Sequence, residues 1–353
     1  MSRTPQRLKR SELFKLDLFF KEQYVGRSRY GTMGSFYWKI FRNPTQDGIV
    51  NIIKENSRIV ASTSITPKTL LLNNNILSAA EIGDTYTHQD YRGQGLFSIL
   101  INKSREQANE IGVEFIYGTP NKQSLPGYQK RANFEVIESL DVRVLRFQLS
   151  VRSVLRSKIG WLLADVLNIL FGLFIRGYNS LLSLKALNPK TVSIEENSCL
   201  PMDWEKFWDE ASKEWDFIFN RNAERMIWRY FENPDIYNFI TLRIKGSLVG
   251  FVVYKLVSDE SGTNLVIADF LCLKNGAGAL NHFIMYIKSK GLKMDVRSIV
   301  IWCDSSSPYS HIFKKNGFID VASIPVISFK DNLFEQLKGV NRPHFVMADS
   351  DNI

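Results

Sequence analysis

The chain has 353 residues, 44% apolar and 23% charged, a balance that excludes a disordered or collagen-like protein and makes two domains the natural expectation. Its formal charge of +9 favours polyanions, anionic surfaces or phosphorylated small molecules as partners and disfavours polycations. Cys199, Cys272 and Cys303 form no close pair, and His88, His282, His311 and His344 are scattered, so neither a disulfide framework nor a metal site is expected, and a cytoplasmic setting fits.

The N-terminus carries Arg3, Arg7, Lys9 and Arg10 but no apolar core of a secretory signal. It reads as a solvated basic tail, and without interleaved aromatic and basic residues no nucleic acid is expected as a partner. Residues 11–42 have helical spacing, with a break from Gly31 to Ser35 and a stop at Asn43-Pro44. Strands follow over Ile49–Lys54, Arg58–Pro67 and Ile76–Thr87, separated by turns at Glu55-Asn56-Ser57 and Asn73-Asn74-Asn75.

The stretch from Glu81 to Leu100 reads as a strand, a glycine turn at Arg92-Gly93-Gln94-Gly95, and the start of a helix that runs over 94–110. Two glycines at a helix entry let backbone N–H groups converge, and those donors with the helix dipole suit a phosphate or pyrophosphate. A strand over Glu114–Thr119 and a short helix ending at Phe134 come next, and this first unit closes near Ser150.

Residues 151–190 differ in kind. The apolar run 159–175 contains Asp165 and Asn168 and is flanked by Arg152, Arg156, Lys158, Arg176 and Lys185. Three readings stand open: a buried linker helix, an interfacial helix making peripheral contact with an anionic membrane from its cytoplasmic side, and a spanning helix at the lower limit of length.

Residues 191–353 echo the first unit. Trp38 and Phe41-Arg42-Asn43-Pro44 match Trp228 and Phe231-Glu232-Asn233-Pro234 at an offset of 190, Asp84 matches Asp269 at 185, and Phe134 matches Phe318 at 184. Matches in one order at near-constant spacing indicate a duplicated fold. The second copy has Leu273-Lys274-Asn275-Gly276-Ala277-Gly278 where the first has its arginine and glycine turn, so only the first is expected to hold a phosphate.

Arg92-Gly93-Gln94-Gly95-Leu96-Phe97 after a strand resembles motif A, (Gln/Arg)-x-x-Gly-x-(Gly/Ala), of the GNAT superfamily of acyl-CoA-dependent N-acyltransferases, with Phe97 where a small residue is usual. Gly127 to Phe134 resembles the family's closing helix. The resemblance implies an α+β fold, an α/β sandwich of two GNAT-like domains (1–150 and a degenerate 191–353, joined by 151–190), each a mixed, mostly antiparallel sheet flanked by helices. It implies acetyl-CoA as donor, with its pyrophosphate on Arg92, Gly93, Gln94, Gly95, Leu96 and Phe97, its pantetheine paired to Tyr86 and Thr87, and its arm held by Asn121. Asn121 can equally cap a helix.

An amine acceptor must lose a proton before it attacks. Glu81 is the candidate base, and strand alternation puts Asp84 on the opposite face, so only one of the two is expected to face the cleft. Tyr128 is the candidate acid for the departing thiolate, or else packs its ring in the core. The expected function is N-acetyl transfer to a small amine, with an amino sugar of surface polysaccharide metabolism suggested by analogy. The alternatives are a non-catalytic module at a membrane and an aminoacyl-tRNA-dependent transferase.

Overall fold

The computed structural model describes residues 4–23, 33–184, 192–260, 262–330 and 332–350; Gly31 of the expected break and the basic flank at Lys185 lie outside them, whereas Gly34 and Ser35 of that break are helical. In chain order the first half contributes β1 (Gln6–Arg7), α1 (Leu13–Gln23), α2 (Met33–Phe41), β2 (Ile49–Glu55), β3 (Arg58–Leu72), β4 (Asn75–Thr87), α3 (Leu96–Glu110), β5 (Phe115–Gly118), α4 (Leu125–Arg131), β6 (Phe134–Val136) and β7 (Val142–Gln148). Two helices follow, α5 (Arg152–Ile159) and α6 (Trp161–Leu184). The second half supplies β8 (Val192–Asn197), α7 (Trp204–Ser212), β9 (Phe217–Phe219), α8 (Ala223–Met226) running into a π turn (Ile227–Phe231), β10 (Asn238–Ile244), β11 (Ser247–Asp259), β12 (Gly262–Cys272), α9 (Ala277–Lys293), β13 (Ser298–Asp304), α10 (Pro308–Lys315), β14 (Ile319–Ile324), β15 (Ile327–Phe329), α11 (Asn332–Leu337) and β16 (Pro343–His344).

The strands form two mixed, mostly antiparallel sheets, so the α+β architecture is as expected. The first sheet runs β1-β2-β3-β4-β5-β15-β6, and the second runs β14-β7-β13-β12-β11-β10-β8. Read against each other, the two orders are the same succession with one strand exchanged. β7 leaves the first half and pairs with β13 and β14, while β15 leaves the second half and pairs with β5 and β6. The division into 1–150 and 191–353 therefore cuts across both sheets. Strand β9 adds to the far end of β3, and β16 pairs with β9, so the second half also extends the first sheet. Strand β3 is longer than its expected end at Pro67. It passes through that proline, which pairs with Ala80 of β4 on one side and on the other falls between the pairing with β2 up to Ile65 and with β9 from Leu70.

The duplicated tryptophans meet where the halves touch. Trp38 and Trp228 stack with ring centroids 4.1 Å apart and planes 11° from parallel, and Trp38 Nε1 donates to the Trp228 carbonyl at 3.0 Å. One face of the first sheet is closed by α1 and α2 through Leu16, Phe20, Phe36 and Ile40 on Val50 and Ile52. The other is closed by α3 and α4 through Ile101, Ala108 and Tyr128 on Ile49, Ile65 and Ile82.

Candidate active site

Strands β4 and β5 pair in parallel only from Ala79 opposite Phe115 to Glu81 opposite Tyr117. Beyond that, β5 ends at Gly118, whereas β4 continues to Thr87 with β3 on one side and, among the described residues, no strand on the other. The two chains part at a close contact, since a Cβ on Gly118 would stand 3.2 Å from both the carbonyl oxygen and the Cγ2 of Ile82. The open edge of β4, with Tyr86 and Thr87, leads to the glycine turn.

Gly93 and Gly95 have φ of +76° and +78°, the left-handed region that only glycine enters without cost, and an added Cβ at either would meet nothing within 4 Å. Gly95 is the residue before α3, so the amides of Leu96 and Phe97 have no acceptor inside the helix. The turn is held from outside the cradle: Arg92 Nε donates to the Thr87 carbonyl at 3.3 Å and Gln94 Nε2 to the Asp90 carbonyl at 3.3 Å. Phe97 does not close this space. Its ring turns toward α4, edge-on to Tyr128 at 5.0 Å and touching Gly127. Open amides at the end of an unpaired strand edge fit a diphosphate continued by an extended arm.

A bulge sits in the middle of that edge. Ser62 pairs with Tyr86 and Ser64 with Gly83, so Asp84 and Thr85 together oppose Thr63, and Asp84 takes a φ of +47°. The expected alternation breaks there. Asp84 Oδ2 accepts from Ser64 Oγ and Lys39 Nζ, both at 2.6 Å, while Glu81 Oε2 accepts from Lys68 Nζ at 2.9 Å. Ser64 and Lys68 are alternate residues of β3 on one face, so the bulge brings both carboxylates to that face, not to opposite ones. Thr85 turns the other way, bonding Thr63 Oγ1 and the Tyr128 hydroxyl at 2.9 Å each.

Glu81 does not reach a cleft. It is 2% exposed, and its Oε1 accepts from Ser350 Oγ at 3.0 Å and Thr119 Oγ1 at 3.3 Å. The seal is the segment 343–350, buried throughout, whose Asp349 carbonyl accepts from Lys68 Nζ at 2.7 Å and from the Tyr117 hydroxyl. The Asp349 carboxylate binds Arg221 Nη2 at 2.9 Å, and Arg221 Nε in turn binds Asp269 at 3.0 Å. Lys68–Glu81 and Asp349–Arg221–Asp269 thus form a buried charge network between the halves, around a cavity of about 20 Å³, room for roughly one water. No residue spacing marks these partners in the sequence; only the apolar character of Phe345-Val346-Met347-Ala348 hints that this segment is interior.

Tyr128 packs its ring in the core, one of its two expected roles. Its ring is buried between Phe97 and Phe134, and its hydroxyl emerges at Thr85 on the open strand. Burial raises its pKa, the Thr85 hydrogen bond opposes that, and the charges of Glu81 and Asp84 add to the rise, so the phenol stays protonated at neutral pH. Asn121 closes the turn that leads into α4: its Oδ1 accepts from the Gln123 and Ser124 amides at 2.9 Å each, and the helix itself has no side-chain cap.

The matching place in the second half is filled by the chain itself. β12 and β13 also part, after Ile267 opposite Ile301. There Tyr309 takes up the Cys272 amide at 2.9 Å, and the buried His344 ring packs on Trp215, Phe270 and Tyr309. At the head of α9 a Cβ on Gly276 would lie 2.6 Å from the Val249 carbonyl oxygen, and the Lys274 amide donates to Glu214 at 3.1 Å. A carboxylate and a backbone carbonyl stand where the first half leaves room for an anion.

A parallel strand pair that parts beside a glycine-opened helix is the arrangement that the resemblance to the GNAT superfamily implies. Residues 22–137 match the family model described as Acetyltransferase (GNAT) domain; the chain carries a GNAT domain and is an acyltransferase by class. No curated protein matches it in sequence. Among solved structures it is similar to a probable N-acyltransferase of Enterococcus faecalis, at 12% identity and a TM-score of 0.60, over 93% of this chain and 72% of that one. It is also similar to a GCN5-related N-acetyltransferase of Anabaena variabilis, at 12% identity and a TM-score of 0.61, over 92% and 72% of the two chains. The N-myristoyltransferase of Saccharomyces cerevisiae, solved with bound myristoyl-CoA, matches at 12% identity and a TM-score of 0.60 over 93% and 82%. At such identity these likenesses speak to the fold.

Proposed function

We propose that this chain transfers an acetyl group from acetyl-CoA to the nitrogen of a small-molecule amine. One observation carries the reading: the unpaired edge of β4 leads, through a single 3-10 turn at Gln89–Tyr91, to the two left-handed glycines that open α3. Amides of Gly93 through Phe97 receive the pyrophosphate, and the edge from Gly83 to Thr87 pairs with the pantetheine arm. Bound there, acyl-CoA supplies an activated thioester carbon.

Asp84 is the carboxylate that serves the acceptor. It sits on the open part of β4, where Glu81 is sealed, and it already holds one ammonium, that of Lys39 at 2.6 Å. An incoming amine exchanges for Lys39 and gives Asp84 its proton, leaving the neutral nitrogen free to attack. As the nitrogen–carbon bond forms and the carbon–sulfur bond breaks, the protonated Tyr128 hydroxyl would give its proton to the leaving sulfur, and the second proton lost by the attacking nitrogen would restore the tyrosine. The net charge of +9 favours an amino sugar over a polyamine as acceptor.

The test is release of free CoA thiol with glucosamine, spermidine and a lysine peptide as acceptors, with the product identified by mass. Asp84→Asn is expected to lower the rate with glucosamine by about a hundredfold while leaving acetyl-CoA binding intact. No thiol release with any of the three, or full activity in Asp84→Asn, overturns the reading.

A further inference from the structure

Helix α6 turns the usual amphipathic arrangement inside out. Its inward stripe is Ala164, Asn168, Phe171 and Ile175, of which Ala164 and Ile175 are fully covered and Phe171 packs on the second core. Asn168 Oδ1 accepts from Ser150 Oγ and the Val151 amide at 2.9 Å each, and Asp165 is paired to Arg152 at 2.9 Å. The polar side chains of its first four turns therefore look into the protein.

The outward side is apolar without interruption from Trp161 to Phe174. Nine large hydrophobic side chains there are each more than a third exposed, Trp161 by 68% and Phe174 by 69%. At 100° per residue eight of them cover about 160° of the helix, and Trp161, at the first position of the helix, lies outside that arc. Their combined exposed surface is on the order of 900 Å², beyond the several hundred Å² of a typical monomer's largest patch.

Charge selects the occupant. Asp165 is the only acidic residue between 151 and 184, and it is bound to Arg152. Lys158 before the apolar face and Arg176 after it are both exposed, and a tryptophan stands at the helix entry. Basic ends, an aromatic at the boundary and a broad apolar face match an anionic bilayer surface. Among the described residues no helix is long and apolar enough to cross a membrane, so the fit is to the plane of the interface.

We propose that α6 is an in-plane anchor that seats this protein on anionic lipid, with the side chains from Trp161 to Phe174 among the acyl chains and Lys158 and Arg176 at the headgroups. This surface lies apart from the acyl-transfer site and does not depend on the reaction assigned to it.

The experiment is co-sedimentation of the full chain with phosphatidylcholine vesicles, with and without roughly 30% phosphatidylserine. Binding is expected with the anionic vesicles, weakening as salt rises. Leu170→Glu with Leu173→Glu changes two outward side chains, so melting temperature and acetyl-CoA binding are expected to hold while vesicle binding falls at least tenfold. Lys158→Gln with Arg176→Gln is expected to abolish the preference for phosphatidylserine. Wild type that stays in the supernatant overturns the proposal. So does a dimer seen by light scattering that the leucine pair breaks while vesicles bind nothing, which would make this face a contact between two copies. Equal vesicle binding by the leucine variant also overturns it.

Discussion

Gly95→Glu is the sharpest perturbation of the acyl-CoA site. The φ of +78° costs a non-glycine residue about 1 kcal/mol, and with no atom within 4 Å of the new Cβ no clash adds to it. The variant therefore folds, with a melting temperature lower by about 2–4 °C. Its carboxylate lies over the helix entry, about 5 Å from a diphosphate held there. At an effective dielectric of about 20 the repulsion is roughly 3 kcal/mol per negative charge, enough to weaken binding at least a hundredfold. Acetyl-CoA at a hundred times its dissociation constant stabilises the wild type by about 2.7 kcal/mol, and the same concentration stabilises such a variant by only about 0.4 kcal/mol. Thermal shift with and without acetyl-CoA reads the difference, and Gly95→Ala, which pays the same backbone cost without the charge, is expected to keep most of the shift. A full ligand-induced shift in Gly95→Glu refutes the site.

Glu81→Gln is expected to cost about 3–5 kcal/mol in urea unfolding, because it leaves Lys68 buried without its counter-charge, while activity per folded molecule holds at every pH; unchanged stability with a selective rate loss would return Glu81 to the role of base. Tyr128→Phe keeps the ring packing and removes the proton donor, so kcat is expected to fall about a hundredfold with KM little changed; an unchanged kcat removes Tyr128 from the chemistry. Lys288 lies over the Phe147 ring at 3.9 Å and donates to the Asn316 carbonyl, and burial pushes its pKa down to about 7. The folded state gives up that proton first, so the unfolded state holds more protons above pH 7 and stability rises with pH. The rise between pH 6 and pH 9 is about 2–3 kcal/mol, and Lys288→Met is expected to abolish it and to be the more stable protein at pH 6; equal pH slopes in the two proteins contradict this.

The elements themselves were legible in the residues. The glycine turn, the helix after it and the paired Trp and Asn-Pro segments each carry a local signature, and the offsets of 184 to 190 residues go with the like strand orders of the two sheets. The partners of the strands were not legible. β7 and β15 are buried strands that fit either sheet by hydrophobic pattern, and only their connections decide which they join. The bulge at Asp84 and Thr85 is marked only by Gly83 before it, which the alternation rule does not weigh, so that rule placed one carboxylate on the wrong face. Glu81 stood out as an acid on the right strand, but its burial comes from Ser350, 269 residues away. For the apolar run 159–175 hydrophobicity alone left three readings open; which side chains face outward depends on Ala164, Asn168, Phe171 and Ile175 finding a surface to meet.

The exchanged strands bear on how the protein is made. Phe134–Val136 is stitched to the rest of its sheet through Ile327–Phe329, so the helix bearing Tyr128 has no finished support until most of the polypeptide has left the ribosome. The nascent first half waits with an incomplete sheet, and a stalled or clipped chain exposes two adhesive edges at once. Cutting the gene at the apparent midpoint is expected to give two insoluble fragments, and mixing them during refolding is the way to recover either one.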